Sequence, residues 1–597
     1  MSVKANSLAW PAIAMAAFLL PGQNAVAEEQ ELIGCSSIYG EQPRRRRPGR
    51  PKPPLWPCDD EGLAPAVWGR LPELAPVPDR WRIVSALGYP EQWWDPYNGN
   101  NALKGDRPVF GEDWFVSFNL ISDSTFEFRS IPTPVAIATV PGPGTLDVIG
   151  RPDQDVFTQN VIFEAVLYKG DTVFRPPDYE FRFIPVFNLT SVSADEAGVL
   201  KADTSASLTR TEGFIGIQGL FVDKHLRNVS ERFDFDSIRV GIQPITADFR
   251  GFLFQDSPIG IRLFGTRSNN LWQYNLGWFR RIEKDTNSGL NDITENDFSD
   301  AIRDDDVFLF NVYRQDFPWP GFTSQAVLVR NLNDETDSNF VDDNGFLTRP
   351  AALGVQKNRE YEVTYAGING DGHIGRWNLS VSAYYAFGEE TPATFTDAKS
   401  DISAAFAAAE VSRDFDWIRV RGTVIYGSGD DDPYDDKSTG FDAILENPLV
   451  AGADSSFWIR QAIPFIGGGR VALSGQNGVL NSLRPNKGQG QSNFTNPGLI
   501  LAGAGADFDI TPKVRASVNV NQLWFDTTEV LEAARNHGGI PKDIGQDLSL
   551  SVIYRPFTSQ NVILRVSAST LIPGGGYERL FGDETPYSVL ANLILSY

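Results

Sequence analysis

Arginines on the polar side of alternating segments offer the clearest chemistry in this sequence: Arg182, Arg239, Arg262, Arg376, Arg419, Arg421, Arg515 and Arg565. A guanidinium stays ionised at any working pH and presents forked donors that match a carboxylate or a phosphate. Arg419 and Arg421 flank Val420 and share one face, and the acids of the same parity are few, chiefly Glu164, Glu180 and Glu362. If that parity lines a confined space, a ladder of guanidiniums lowers the barrier for an anion leaving bulk water. The competing role is bracing, in which the arginines pair with inward acids, and the sequence leaves both open.

Residues for covalent or metal chemistry are sparse. His225, His373 and His537 are isolated, no HExxH or GxSxG is present, and Gly574-Gly575-Gly576 follows Pro573 without the lysine of a phosphate loop. Neither an enzyme nor a cofactor is expected; a hydrolase assembled from distant Ser, His and carboxylate groups is the weakest alternative, with His373 as its residue to mutate. Two acidic runs, Asp430, Asp431, Asp432, Asp435 and Asp436, and Asp334, Glu335, Asp337, Asp342 and Asp343, lack EF-hand spacing. They read as solvated loops, with calcium, or lipopolysaccharide phosphates bridged by divalent cations, as the alternative.

The elements that must position the arginines have a period of two. From Trp114 onward, segments of about ten residues alternate apolar and polar side chains between turns rich in Gly, Asn, Asp and Pro. Trp272, Tyr274, Leu276 and Trp278 alternate with Gln273, Asn275 and Gly277; Val514, Ala516, Val518 and Val520 alternate with Arg515, Ser517, Asn519 and Asn521. A soluble sandwich would show the same rhythm. Segment length near the ~9–11 residues of a tilted membrane strand, aromatics near segment ends, and a terminal strand carrying Tyr587, Val589, Ala591, Leu593, Leu595 and Tyr597 on one parity decide for lipid. The fold expected is therefore an all-β transmembrane antiparallel β-barrel of about 18 strands, in the outer membrane of a Gram-negative bacterium. Its final strand, ending in Tyr597, resembles the signal read by the barrel assembly machinery, and lipid and lipopolysaccharide are the expected surroundings.

Domain organisation follows. Residues 1–27 read as a signal peptide, with Lys4, an apolar stretch Leu8–Leu20 and Ala25-Val26-Ala27 before Glu28. Residues 28–105 form a Pro/Arg-rich periplasmic extension or plug, in which Cys35 and Cys58 can pair in an oxidising compartment. Residues 106–597 make the barrel, with long extracellular connections at 285–306, 331–348, 427–455 and 475–496. The chain has 597 residues and a net charge of -24, which argues against a nucleic-acid partner.

Three stretches carry a family resemblance: Ile238-Arg239-Val240-Gly241-Ile242-Gln243; Gly375-Arg376-Trp377-Asn378 leading to Tyr384-Tyr385-Ala386-Phe387-Gly388; and Tyr426-Gly427-Ser428-Gly429-Asp430-Asp431-Asp432-Pro433. In these the chain resembles outer-membrane barrels of the alginate-export type, a porin-like family. The resemblance implies an arginine-lined conduit for an anionic polysaccharide, with Arg239 and Arg376 as the lumenal residues carried over. The rivals to an anion channel are a TonB-dependent-like receptor, for which the pre-barrel region is short, and a structural or adhesive barrel.

Overall fold

The computed structural model describes residues 80–95, 100–131, 152–170, 176–230, 234–294, 300–338, 340–349, 358–452, 455–460, 463–464, 470–471, 487–488, 490–557 and 559–597. The expected signal peptide and the Cys35/Cys58 pair lie outside these residues.

Eighteen antiparallel strands close into a barrel. They are β1 (Trp114–Ser130), β2 (Asp153–Lys169), β3 (Tyr179–Ala194), β4 (Thr209–Asn228), β5 (Phe235–Ile242) and β6 (Ile259–Arg267). Next come β7 (Trp272–Ile282), β8 (Ile302–Arg314), β9 (Phe322–Asp334), β10 (Glu360–Ile374), β11 (Trp377–Thr391) and β12 (Ser400–Phe415). The set ends with β13 (Ile418–Gly427), β14 (Leu499–Thr511), β15 (Val514–Trp524), β16 (Asp543–Tyr554), β17 (Val562–Pro573) and β18 (Tyr587–Ser596). Each strand pairs with its sequence neighbours, and β18 returns to β1 in the register Ile121↔Ser596 through Ser130↔Tyr587. Closure leaves no lipid-facing row of unpaired N–H and C=O groups, which hydrocarbon would not tolerate.

The outer face carries the apolar parity. Leu276, Trp278, Phe308, Phe310, Leu328, Tyr385, Val420, Val424, Val518, Val520, Leu564, Val566 and Val589 are all exposed on the isolated chain. An apolar belt on a closed barrel is the architecture of the bacterial outer membrane, and the chain is an outer-membrane β-barrel. The short β-turns 375–376, 416–417 and 512–513 mark the periplasmic end, and the long connections mark the extracellular one. Ser122–Ser130 belongs to β1, and none of the described residues of 455–476 lies in a barrel strand.

The lumen is not empty. Two extracellular connections, 243–258 and the described part of 428–498, fold inward, and their segments 251–255 and 444–447 run side by side. Ile444 N donates to Leu253 O at 3.1 Å, Gln255 N to Leu445 O at 2.7 Å, and Asn447 N to Gly251 O at 2.7 Å. Their apolar residues, Phe252, Leu253, Phe254, Phe441, Ile444 and Leu445, form one buried core with inward side chains of the wall such as Tyr365, Tyr384 and Phe406. Gly251 sits where the two loops touch: its φ is +72°, and a Cβ there would lie 2.5 Å from Asn447 O. Asp248 pins the first loop. It accepts from the backbone N–H of Arg250 (2.9 Å), Gly251 (2.5 Å), Phe252 (3.1 Å) and Leu253 (3.0 Å), and from the Tyr384 hydroxyl on β11 (3.0 Å).

The second loop is held by charge. Lys487 Nζ bonds Asp442, and lies 3.3 Å from Glu446. Burial pushes the Glu446 carboxyl up to about 7, the nearby Lys487 ammonium opposing this and Asp442 adding to it. A carboxyl raised in the folded loop binds its proton more tightly there than in the released chain. Its contribution is therefore complete below the ordinary carboxylate range and disappears as pH rises through about 7.

Two predictions follow from this geometry. Asp248→Ala leaves four backbone N–H groups and a tyrosine hydroxyl without their acceptor and should weaken docking of loop 243–258 by about 3 kcal/mol. Hydrogen exchange in that loop should accelerate while the barrel keeps its heat-resistant mobility on a detergent gel; unchanged exchange would contradict the pinning role. Protection of the amides around residues 441–447, corrected for intrinsic base-catalysed exchange, should also fall between pH 6 and 8, and Glu446→Gln should flatten that dependence.

Candidate lumenal site

Strand alternation sends seven of the arginines to the inner wall. Arg182 on β3 lies 2.9 Å from Glu164 of β2 and 2.9 Å from Glu180 of its own strand. Arg419 on β13 pairs with Asp414 at 2.6 Å, and Arg515 on β15 with Asp509 at 2.7 Å, both at the periplasmic mouth. Arg421 is held by Asp507 of β14 and reaches Asn519 of β15. Arg565 is buried on β17 opposite Asn592 of β18.

The remaining inward pair differs. Arg239 of β5 and Arg262 of β6 are direct cross-strand partners, both buried. Arg239 bonds Asp223 of β4 through Nε (3.0 Å) and Nη2 (2.9 Å), and its guanidinium lies 4.2 Å above the Phe221 ring. Arg262 has only a ring beside it, Phe264 at 4.6 Å; among the described residues it makes no hydrogen bond or ion pair, and its Nε is buried without an acceptor. Two guanidiniums thus share one carboxylate. A buried cation without a partner is costly unless solvent or an anion meets it.

Arg376 departs from the sequence expectation. It sits in the exposed two-residue turn between β10 and β11, at the periplasmic end, and does not face the lumen. Its neighbour Gly375, at φ +60°, makes the tight turn that carries it there. Glu362 is likewise not inward. On β10 the apolar residues Tyr361, Val363 and Tyr365 turn into the lumen, where Phe494 and Phe441 of the inner loop cover Tyr361 and Tyr365, so Glu362 faces outward and pairs with Arg330.

The inner wall also holds more acids than the alternation suggested: Asp223, Asp305, Glu410, Asp414, Asp507, Asp509 and Asp547 among them. Asp223 owes its direction to a β-bulge. The register of β3 against β4 shifts between Ile184 and Pro185, so inward parity on β4 changes from Phe214 and Gly216 to Phe221 and Asp223.

A second arginine cluster, unrecognised from sequence, closes the extracellular end. Arg281 bonds Asp305 at 3.0 Å, and Arg303 grips Glu335 with two bonds of 2.6 and 2.7 Å. Arg349 joins Glu335 at 2.9 Å and also reaches Glu283. Burial tends to raise the Glu335 carboxyl, but Arg303 and Arg349 outweigh it and hold it well below the ordinary range. The same arginines clamp the inner loop, since Arg303 Nη1 donates to Gly488 O at 3.0 Å and Arg281 Nη2 to Lys487 O at 3.4 Å. Continuing the odd parity of β7 from Gln273 and Asn275 reaches Arg281, so that signal was present.

No described histidine bonds a serine or a carboxylate: His225 contacts Asn228, and His537 contacts Gly538 and Arg579. Among the described residues no three His, Cys, Asp or Glu groups converge to hold a metal ion, and the acidic run at 430–436 instead caps its own loop, with Asp430 buried against Thr439.

Comparison with known proteins returns solved barrels of low sequence identity. A BenF-like porin from Pseudomonas fluorescens Pf-5 is 12% identical, with 81% of this chain and 98% of that one covered and a TM-score of 0.45. Pseudomonas aeruginosa OccK9 (OpdG) is 13% identical over 81% and 97% of the two chains, at a TM-score of 0.43. Pseudomonas aeruginosa OccK2 (OpdF) in complex with glucuronate is 12% identical over 81% and 95%, at 0.40. No protein-family model matches the chain, and no curated protein matches it.

Proposed function

We propose that this chain is an outer-membrane channel for anionic solutes, with the Arg239/Arg262 pair as its selective element. The observation that carries the reading is Arg262 itself: a guanidinium facing Arg239 across the strand pair, with no hydrogen bond or ion pair of its own among the described residues. Most other inward arginines are matched by neighbouring acids and brace the wall. Arg262 keeps forked donors for a carboxylate, sulfonate or phosphate passing along the lumen. The two loops packed across the lumen support a small organic anion over the acidic polysaccharide that the resemblance to alginate-export barrels implies. Eighteen strands do not match the 22 of a TonB-dependent receptor, and the described residues packed across the lumen come from the extracellular connections.

Reversal potentials in a potassium chloride gradient test the proposal. The wild-type channel should prefer chloride over potassium. Arg262→Ser should reduce that preference by about thirtyfold, because one unit charge ~8 Å from the path at an effective dielectric of ~40 is worth about 1 kcal/mol, with opposite sign for the two ions. Arg515→Ser, which removes a paired charge at the mouth, should change it far less. Cation preference in the wild type, or an Arg262→Ser channel as anion-selective as its parent, would refute the assignment.

A further inference from the structure

The outer periplasmic rim carries a repeated arrangement. Lys169 lies 5.8 Å from the Trp114 ring, Lys224 3.5 Å from Tyr179, Arg314 4.9 Å from Trp272 and Arg413 5.1 Å from Trp377. In each pair the aromatic opens an ascending strand, the cation lies in the last five residues of the strand paired with it, and the two residues are direct cross-strand partners. At the seam between β18 and β1 the wall has no such cation. There Lys104, from the segment before the barrel, lies 4.2 Å from the ring of Tyr597, and its ammonium donates to Phe118 O at 2.7 Å and to Asn119 Oδ1 at 3.1 Å.

The same segment is fastened to the seam by backbone and side chain. β1 runs on past the end of β18, and its free edge is taken by the pre-barrel chain: Phe118 N donates to Leu103 O at 2.7 Å, and Lys104 bridges to Ser117. Asn101 Nδ2 donates to Trp93 O and to the Tyr597 hydroxyl, each at 3.0 Å, and Tyr597 itself donates to Trp93 O. Tyr597 belongs to the outward parity of β18, so Trp93 is tied to the lipid-facing side of the rim. The residues around it bury little: Leu87 is 69% exposed, Trp93 66% and Trp94 60%, with Ile83 and Tyr89 also exposed. Ile83 and Leu87 share one face of the short helix α1 (Arg80–Ala86) and the turn that extends it.

Such an aromatic and aliphatic patch is costly in water and is suited to the boundary between headgroups and acyl chains. Its position continues the lipid-facing belt, and the cations beside it suit phosphate groups at that depth. We infer that residues 83–95 form an interfacial foot that lies in the phospholipid leaflet on the periplasmic side and completes the girdle across the barrel seam. This reading depends on the barrel's place in the membrane and not on ion selectivity.

The test places a nitroxide label at Trp94→Cys in the full chain, with Cys35→Ser and Cys58→Ser, in vesicles of phosphatidylethanolamine and phosphatidylglycerol. Oxygen should collide with the label more often than a water-soluble nickel chelate does, as at Val589→Cys on the outer face of β18, and opposite to Asp416→Cys in a periplasmic turn. Lys104→Gln should shift the balance toward the chelate. Leu87→Cys serves as a second label site, and heat-modifiable mobility verifies that each barrel is folded. Labels reached mainly by the chelate at both positions, or shielded from both reagents by protein, would overturn the inference.

Discussion

A sheet in hydrocarbon must satisfy its own backbone, and the rest of this structure depends on the seam where β18 meets β1. Pairing of Ile121 through Ser130 with Ser596 through Tyr587 removes the last free edge within the wall. Beyond that register β1 overhangs, and the pre-barrel segment covers the overhang at Phe118. Once the cylinder is closed, alternation sends apolar side chains toward lipid and polar ones toward the interior wherever the interior is hydrated. An interior wide enough for a channel must then be filled or hydrated.

The filling is divided by chemistry. Toward the extracellular end, inward loops bring their own apolar residues and convert the lumen into a protein core around Phe254, Phe441 and Leu445. Guanidiniums around that core are paired on most sides: Arg303 and Arg349 share Glu335, and Arg281 reaches Asp305. Such networks fix geometry more than they add net stability, because desolvation offsets much of the Coulomb attraction. Arg262 stands apart, with only a phenyl ring and a neighbouring Arg239 whose carboxylate is already engaged. An inward guanidinium with no bonding partner among the described residues is thereby placed between β5 and β6, although the whole chain is acidic.

The period of two made the barrel legible, together with the inward direction of Arg182, Arg239, Arg262, Arg419, Arg421, Arg515 and Arg565, because parity along a regular strand fixes the face. It failed where geometry is not regular. Arg376 follows a polar rhythm but occupies a turn, and Asp223 faces inward only after the bulge in β4. Glu362 shows the deeper limit. Polar-inward alternation assumes a wet lumen, and on β10 the lumen is occupied by Phe494 and Phe441, so Tyr361 and Tyr365 reverse the rule. Loops 243–258 and 428–498 have no period that announces docking; their apolar clusters acquire a partner only in the closed barrel.

Adjacent residues of one strand lie on opposite sides of the wall, Arg262 toward the lumen and Ile261 toward lipid. The most direct test of the account is the rate at which a negatively charged methanethiosulfonate reagent modifies Arg262→Cys and Ile261→Cys in planar bilayers, each with Cys35→Ser and Cys58→Ser. The account predicts rapid modification and a fall in current at Arg262→Cys, with Ile261→Cys unaffected. Equal reactivity at the two positions, or reaction at Ile261→Cys alone, would contradict it.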